Sequence, residues 1–188
     1  MKALGGVLQR GFLAIESASL FVAAFAMLLI MLVASADVLM RYMFNAPFTW
    51  THELIRLYLV PAIVYLAVSA AFAANAHIAV DIIQYYISDR ARQWTYLVTD
   101  ALGAVLFAAI AWVAAERAYD EYVSGDVLSG IILWHVWPSS AIVAFGSLLL
   151  GLRAAGQAFL RATSLGTGVE QIGLPPLAVE EDFETEAR

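Results

Sequence analysis

The sequence predicts an all-α membrane protein with four transmembrane helices and an amphipathic interfacial stretch between helices two and three. Of its 188 residues, 62% are hydrophobic and only 14% are charged, whereas soluble domains are about half apolar and about a quarter charged. Four runs are long and apolar enough to cross the bilayer, which takes about 20 residues. The chain has no cysteine, so disulfides and thiolate metal sites are excluded.

The predicted spans cover residues 17–36, 57–76, 94–115 and 127–152. Each is interpreted as a helix because lipid offers no hydrogen-bond partner to an open backbone. The first run exceeds the apolar region of a signal peptide, which is about 7–15 residues long. It is therefore interpreted as a span rather than a cleaved leader.

The connection after the first span is predicted to be a turn at Asn45, Ala46 and Pro47, since a residue before proline avoids helical geometry. Thr49 or Thr51 is then expected to cap the second helix.

The later connections differ in chemistry. Residues 78–87 are amphipathic and are expected to lie along the inner membrane surface before Ser88 starts the third helix. Residues 116–126 are predicted to form an acidic outer loop. Pro138 indicates a break or restart near the head of the last span.

Two domains are expected: a transmembrane domain over residues 1–161 and a disordered acidic tail over residues 162–188. The tail holds most of the net charge of −6, so that charge says nothing about a substrate.

Basic residues near short loops predict the orientation, because they resist translocation. Six of them flank one side of the predicted bundle and three flank the other. The chain is therefore predicted to be a multi-pass protein with both termini in the cytoplasm. The six are Lys2, Arg10, Arg90, Arg92, Arg153 and Arg161, and the three are Arg41, Arg56 and Arg117.

Charged and aromatic residues are concentrated in the connection 37–56, which we call the collar. Its charges pair at helical spacings: Asp37 with Arg41, and Glu53 with Arg56. Such pairs lower the penalty for charge at a membrane boundary, either as lipid anchors or as a docking patch for another membrane subunit. A similar pair, His77 with Asp81, follows the second span.

Asp100 is the one charge within the third predicted span, about 9 Å beyond Trp94 at 1.5 Å per residue. An ionisable side chain at that depth is a candidate functional group. Pairing with a neighbouring arginine or water is favoured over ion transport.

Catalysis by the common motifs is not indicated, and no metal or cofactor is predicted. Lys2 is the only lysine, so no Walker A phosphate loop can form. No His-Glu-x-x-His or Gly-x-Ser-x-Gly motif is present. A haem would need two histidines at one level, which His52 and His135 could supply. A haem-bearing or purely structural membrane anchor therefore remains the alternative function.

The order and spacing of the collar residues resemble one family, the small DctQ-like membrane subunit of tripartite ATP-independent periplasmic (TRAP) transporters. The resemblance covers roughly residues 17–152 and is weaker in the second half. The residues that carry it are Asp37, Arg41, Tyr42, Phe44, Asn45, Trp50, Glu53, Leu54 and Arg56, followed by His77, Ile78 and Asp81.

The resemblance implies a bacterial inner-membrane protein that acts with partners. A large membrane subunit carries the substrate and sodium sites, and a periplasmic binding protein delivers an organic anion, often a carboxylate. The small subunit is similar to a fixed scaffold, and its collar would hold helices one and two against the partner and the lipid headgroups.

The chain departs from the family pattern at two positions. Pro61 stands where an aromatic residue is usual, which predicts a kink in helix two about one turn after the collar. Ile132 stands where a proline is often found, so the family pattern does not define the residue at which helix four begins.

Overall fold

The structure, a computed structural model, describes residues 2–73, 88–129 and 132–167. Within these ranges four helices are long and apolar enough to cross a membrane: Arg10–Phe44, Thr51–Phe72, Arg90–Ser124 and Trp137–Gly166. The predicted all-α membrane fold is therefore confirmed. Several predictions fall outside the described residues: the interfacial stretch at 78–87, the pair of His77 with Asp81, and the tail from residue 168 onward.

The first helix, α1 (Lys2–Phe44), has 43 residues. At 1.5 Å per residue it is about 65 Å long, so it extends well beyond the hydrocarbon layer. It ends where predicted: Asn45 takes a left-handed φ of 51°, and the Ala46 N–H donates to the Met40 carbonyl at 3.3 Å. This arrangement satisfies an otherwise orphaned carbonyl at the helix end.

The second span consists of three consecutive pieces: α2 (Thr51–Leu54), the π-helical turn π1 (Ile55–Leu59) and α3 (Val60–Ala73). The π-helical turn ends just before Pro61. Proline has no N–H to donate to the carbonyl four residues earlier, and its ring crowds that carbonyl. A widened turn accommodates both effects, and a π-helical turn ends at Leu59, two residues before Pro61. The kink predicted at Pro61 stays a prediction.

The third helix, α4 (Asp89–Ser124), begins where predicted, because the Ser88 side chain accepts a hydrogen bond from the Ala91 N–H at 3.5 Å. It ends at Gly125, whose φ is 69°. The prediction of an acidic loop over residues 116–126 is wrong. Most of that segment continues α4, since Arg117 pairs with Glu121 along the helix and the left-handed glycine comes only afterwards.

The predicted start of the last span at residue 127 is also wrong. A short antiparallel pair forms instead, between β1 (Val127–Leu128) and β2 (Trp134–His135). The final helix, α5, runs from Trp137 to Thr167, past the expected domain boundary at Arg161. Pro138 explains the start, because a proline in the first helical turn lacks only an N–H that has no partner there.

Helix α5 is the central element: it packs along α4 on one side and against α3 on the other, while α3 also packs against α1. Two glycines allow the close approach. A Cβ at Gly146 would collide with the backbone carbonyl of Tyr65, and one at Gly151 would lie 3.3 Å from the Ala108 nitrogen. We call the end of the bundle with β1 and β2 the hairpin end, and the opposite end the termini end.

Candidate subunit interface and buried ion pairs

Asp37 holds the collar turn in shape. Its Oδ2 accepts a hydrogen bond from the Arg41 guanidinium at 2.9 Å, and its Oδ1 accepts the Phe48 N–H at 2.7 Å. Asp37 is buried, whereas Arg41 is exposed. The carboxylate therefore joins the last turns of α1 to the chain that leads into α2.

The predicted pair between Glu53 and Arg56 is wrong, as no ion pair between them exists in the described structure. The spacing rule assumes an α-helix, but Arg56 lies within π1, where more residues per turn carry it off the face of Glu53. Glu53 lies in the first turn of α2, and its Oε2 is buried with no hydrogen-bond partner within the described ranges.

The expected threonine cap on the second helix is wrong as well. Trp50 occupies the N-cap position and makes no side-chain capping bond to the described part of the chain. Thr51 is buried, and its hydroxyl oxygen has no hydrogen-bond partner among the described residues.

The aromatic residues of the collar divide into two groups. Phe48 and Trp50 pack together with ring centroids 5.5 Å apart and are half-buried. Tyr42 and Phe44 are exposed. The exposed pair continues an apolar surface that runs down α1 and includes Phe21, Phe25, Met31, Leu32, Leu39 and Met43.

A buried cluster near the termini end joins three helices, and the sequence analysis did not identify it. Glu16 of α1 accepts hydrogen bonds from the Ser69 hydroxyl of α3 and from the Arg153 guanidinium of α5. Glu16 is buried. The available signal was an acidic residue in the first helix and a basic residue in the last helix, both near the termini end.

Asp100 binds Arg161 of α5, with 2.9 Å between Asp100 Oδ2 and Arg161 Nε. Only 5% of the Asp100 side chain and 7% of the Arg161 side chain are exposed. The same guanidinium lies 4.8 Å from the ring centroid of Tyr96, a favourable cation–π distance. Asp100 is thus engaged in a contact between α4 and α5.

A second polar link between α4 and α5 lies at the hairpin end. Glu121 is buried and accepts hydrogen bonds from Arg117 at 2.8 Å and from the Ser140 hydroxyl at 2.7 Å. Nearby, the Tyr58 hydroxyl donates to the backbone carbonyl of His135 at 2.6 Å. Tyr58 therefore fixes β2 to the second span.

Histidine and carboxylate groups show no grouping of three or more that could hold a metal ion in the described parts of the chain. His52 and His135, the two histidines considered for haem, are both exposed.

The sequence of this chain matches the model of one protein family. The sequence model of the family described as "Tripartite ATP-independent periplasmic transporters, DctQ component" matches residues 30–164. No curated protein and no solved structure matches the chain. The matched region contains the collar, the second and third spans, and all but the last two residues of the fourth span.

Proposed function

This chain belongs to the DctQ component family of the tripartite ATP-independent periplasmic transporters, and on that premise we propose that it is the small scaffold subunit of a sodium-coupled importer. The large permease subunit would carry the substrate and sodium sites. A periplasmic binding protein would deliver the substrate, an organic anion of the carboxylate class. The subunit would lie in the bacterial inner membrane with both termini in the cytoplasm.

The observation that carries the scaffold role is the set of buried ion pairs between helices. The Glu16 cluster joins α1, α3 and α5, and the pair of Asp100 with Arg161 joins α4 and α5. Removing one partner of such a pair leaves an uncompensated buried charge, which costs about 3–5 kcal/mol. Moving the helices apart would leave both charges uncompensated. Relative movement of these helices is therefore opposed, as expected of a fixed support beside a moving permease.

The collar supports a docking role for the hairpin end. Asp37 fixes the turn between α1 and α2, while Tyr42 and Phe44 remain exposed. Aromatic residues held on a rigid turn are effective anchors, because they bury a large area at low cost in conformational entropy. The exposed apolar face of α1 would continue that contact within the membrane.

The test is assembly of the transporter with collar variants. Trp50→Ala removes an aromatic ring that packs on Phe48, and Glu53→Ala removes the charge in the first turn of α2. Both should weaken copurification of the large subunit and lower uptake in reconstituted vesicles. Substrate affinity of the isolated binding protein should not change.

Matched controls lie outside the collar, on α4. They are Trp94→Ala, at an exposed tryptophan near the termini end, and Glu116→Ala, at an exposed acidic residue. These variants should assemble and transport normally. If the two collar variants assemble fully and their uptake per complex is normal, the collar is only a membrane anchor and the docking role is refuted.

A further inference from the structure

A groove at the hairpin end is the feature with chemistry that the scaffold role does not use. It has a volume of about 740 Å³ and lies between α4, α5 and the second span. Two arginines, Arg56 and Arg117, contribute to its lining together with Ser139. None of the described residues that line it is acidic.

Among the described residues, the positive charge at this groove is not fully paired. Arg117 is paired with Glu121, although 72% of its side chain is exposed. Arg56 is exposed and belongs to no ion pair in the described part of the chain. The three side chains together leave one positive charge, which an anion would compensate.

The remaining walls are apolar and extend away from the arginines. Along α4 they run from Val113 to Ala109, which is a depth of about 6 Å at 1.5 Å per residue. Val143 of α5 contributes a further apolar wall. A small soluble anion would gain nothing from this surface, whereas an acyl chain would bury it.

Both arginines lie toward the hairpin end of their helices. Arg56 lies five residues after Thr51, where the second span begins, and Arg117 lies seven residues before Ser124, where the third span ends. These separations correspond to about 7.5 and 10.5 Å along the helices. Both guanidiniums can therefore reach the headgroup region of one leaflet, because long arginine side chains near helix ends extend their charged groups toward the membrane surface.

We propose that this groove binds one anionic phospholipid of the phosphatidylglycerol type. Its phosphate contacts Arg56 and Arg117, which suit phosphate because a guanidinium donates two parallel hydrogen bonds. One acyl chain lies along Val113 and Ala109. This proposal does not depend on assembly of the chain with a permease.

The experiment measures lipid retention by the full-length chain. The purified protein is delipidated in detergent and titrated with phosphatidylglycerol or phosphatidylcholine, and bound lipid is counted by native mass spectrometry. We expect one tightly bound phosphatidylglycerol and weaker binding of phosphatidylcholine. Arg56→Gln should weaken phosphatidylglycerol binding about tenfold, as expected for loss of one charged hydrogen-bond donor.

A second variant tests the acyl-chain wall without changing charge. Val113→Trp should fill the groove and abolish the tight site, while Val105→Trp, at an exposed position on the same helix outside the groove, should not. Arg90→Gln is the charge control at the termini end. Circular dichroism confirms that each variant retains its helices.

Three results would overturn the proposal. The first is equal lipid retention by the wild type, Arg56→Gln and Val113→Trp. The second is binding of inorganic phosphate alone that displaces the lipid and is weakened equally by Arg56→Gln. This result would assign the site to a soluble anion. The third is a cross-link from position 113 to a helix of a copurified membrane subunit, with no lipid retained.

Discussion

Replacing Asp100 by asparagine separates a structural role from a role in ion coupling. The substitution keeps the shape of the side chain and removes its charge, which leaves Arg161 without its carboxylate. Both side chains are at least 93% buried, so the cost should be that of a broken buried pair, about 3–5 kcal/mol. The same change at an exposed pair should cost about 1 kcal/mol or less.

The pair of Asp37 with Arg41 provides a half-exposed comparison: 55% of the Arg41 side chain and 11% of the Asp37 side chain are exposed. After Arg41→Gln the Asp37 carboxylate still accepts the Phe48 N–H. The assay is unfolding of the full-length chain in mixed detergent micelles, followed by circular dichroism. We expect Asp100→Asn to destabilise the chain much more than Arg41→Gln. The double variant Asp100→Asn with Arg161→Met should recover part of the loss, because no unpaired charge remains buried.

Two results would refute this reasoning. If Asp100→Asn costs no more than Arg41→Gln, the buried pair contributes nothing beyond a half-exposed pair. If a normally assembled complex with Asp100→Asn shows a changed sodium stoichiometry, Asp100 has a coupling role and the structural assignment fails.

Three further predictions concern packing, topology and the collar turn. Gly146→Ala should destabilise the bundle by about 1–3 kcal/mol through overpacking, while Gly156→Ala, with nothing within 4 Å of the added Cβ, should be neutral or stabilising in the same unfolding assay. Single cysteines at Gly125 and Thr167 should react oppositely with an impermeant thiol reagent in intact cells, and labelling of position 167 from outside would contradict cytoplasmic termini. Asn45→Ala should lower stability by about 1 kcal/mol because alanine disfavours the left-handed region, whereas Asn45→Gly should not, and equal melting temperatures would disprove the strain argument.

The sequence predicted those features whose causes are local. The turn at Asn45 and the cap at Ser88 depend on neighbouring residues, so the chemistry of a few positions was sufficient. The start of the last helix was missed because residues 127–136 are apolar, and hydropathy alone does not distinguish a short strand pair from a helix.

The contacts of the candidate site were harder to predict, for two physical reasons. Glu16 finds partners 53 and 137 residues away, and spacing rules describe only neighbours along one helix. Glu53 and Arg56 have a helical spacing, yet the π-helical turn changes which side chains share a face. Only the three-dimensional packing reveals which charges meet.

The buried pairs also constrain the order in which this chain can be inserted into a membrane. Asp100 precedes its partner by 61 residues, and Glu16 precedes Arg153 by 137. During synthesis both carboxylates therefore emerge from the ribosome long before the arginines that neutralise them. Until α5 is translated, each carboxylate must stay hydrated, become protonated or be bound by the insertion machinery, because an unpaired charge in lipid is costly. Ribosome-bound chains that stop before α5 should consequently remain beside the translocon, and release into lipid should follow the emergence of Arg153 and Arg161.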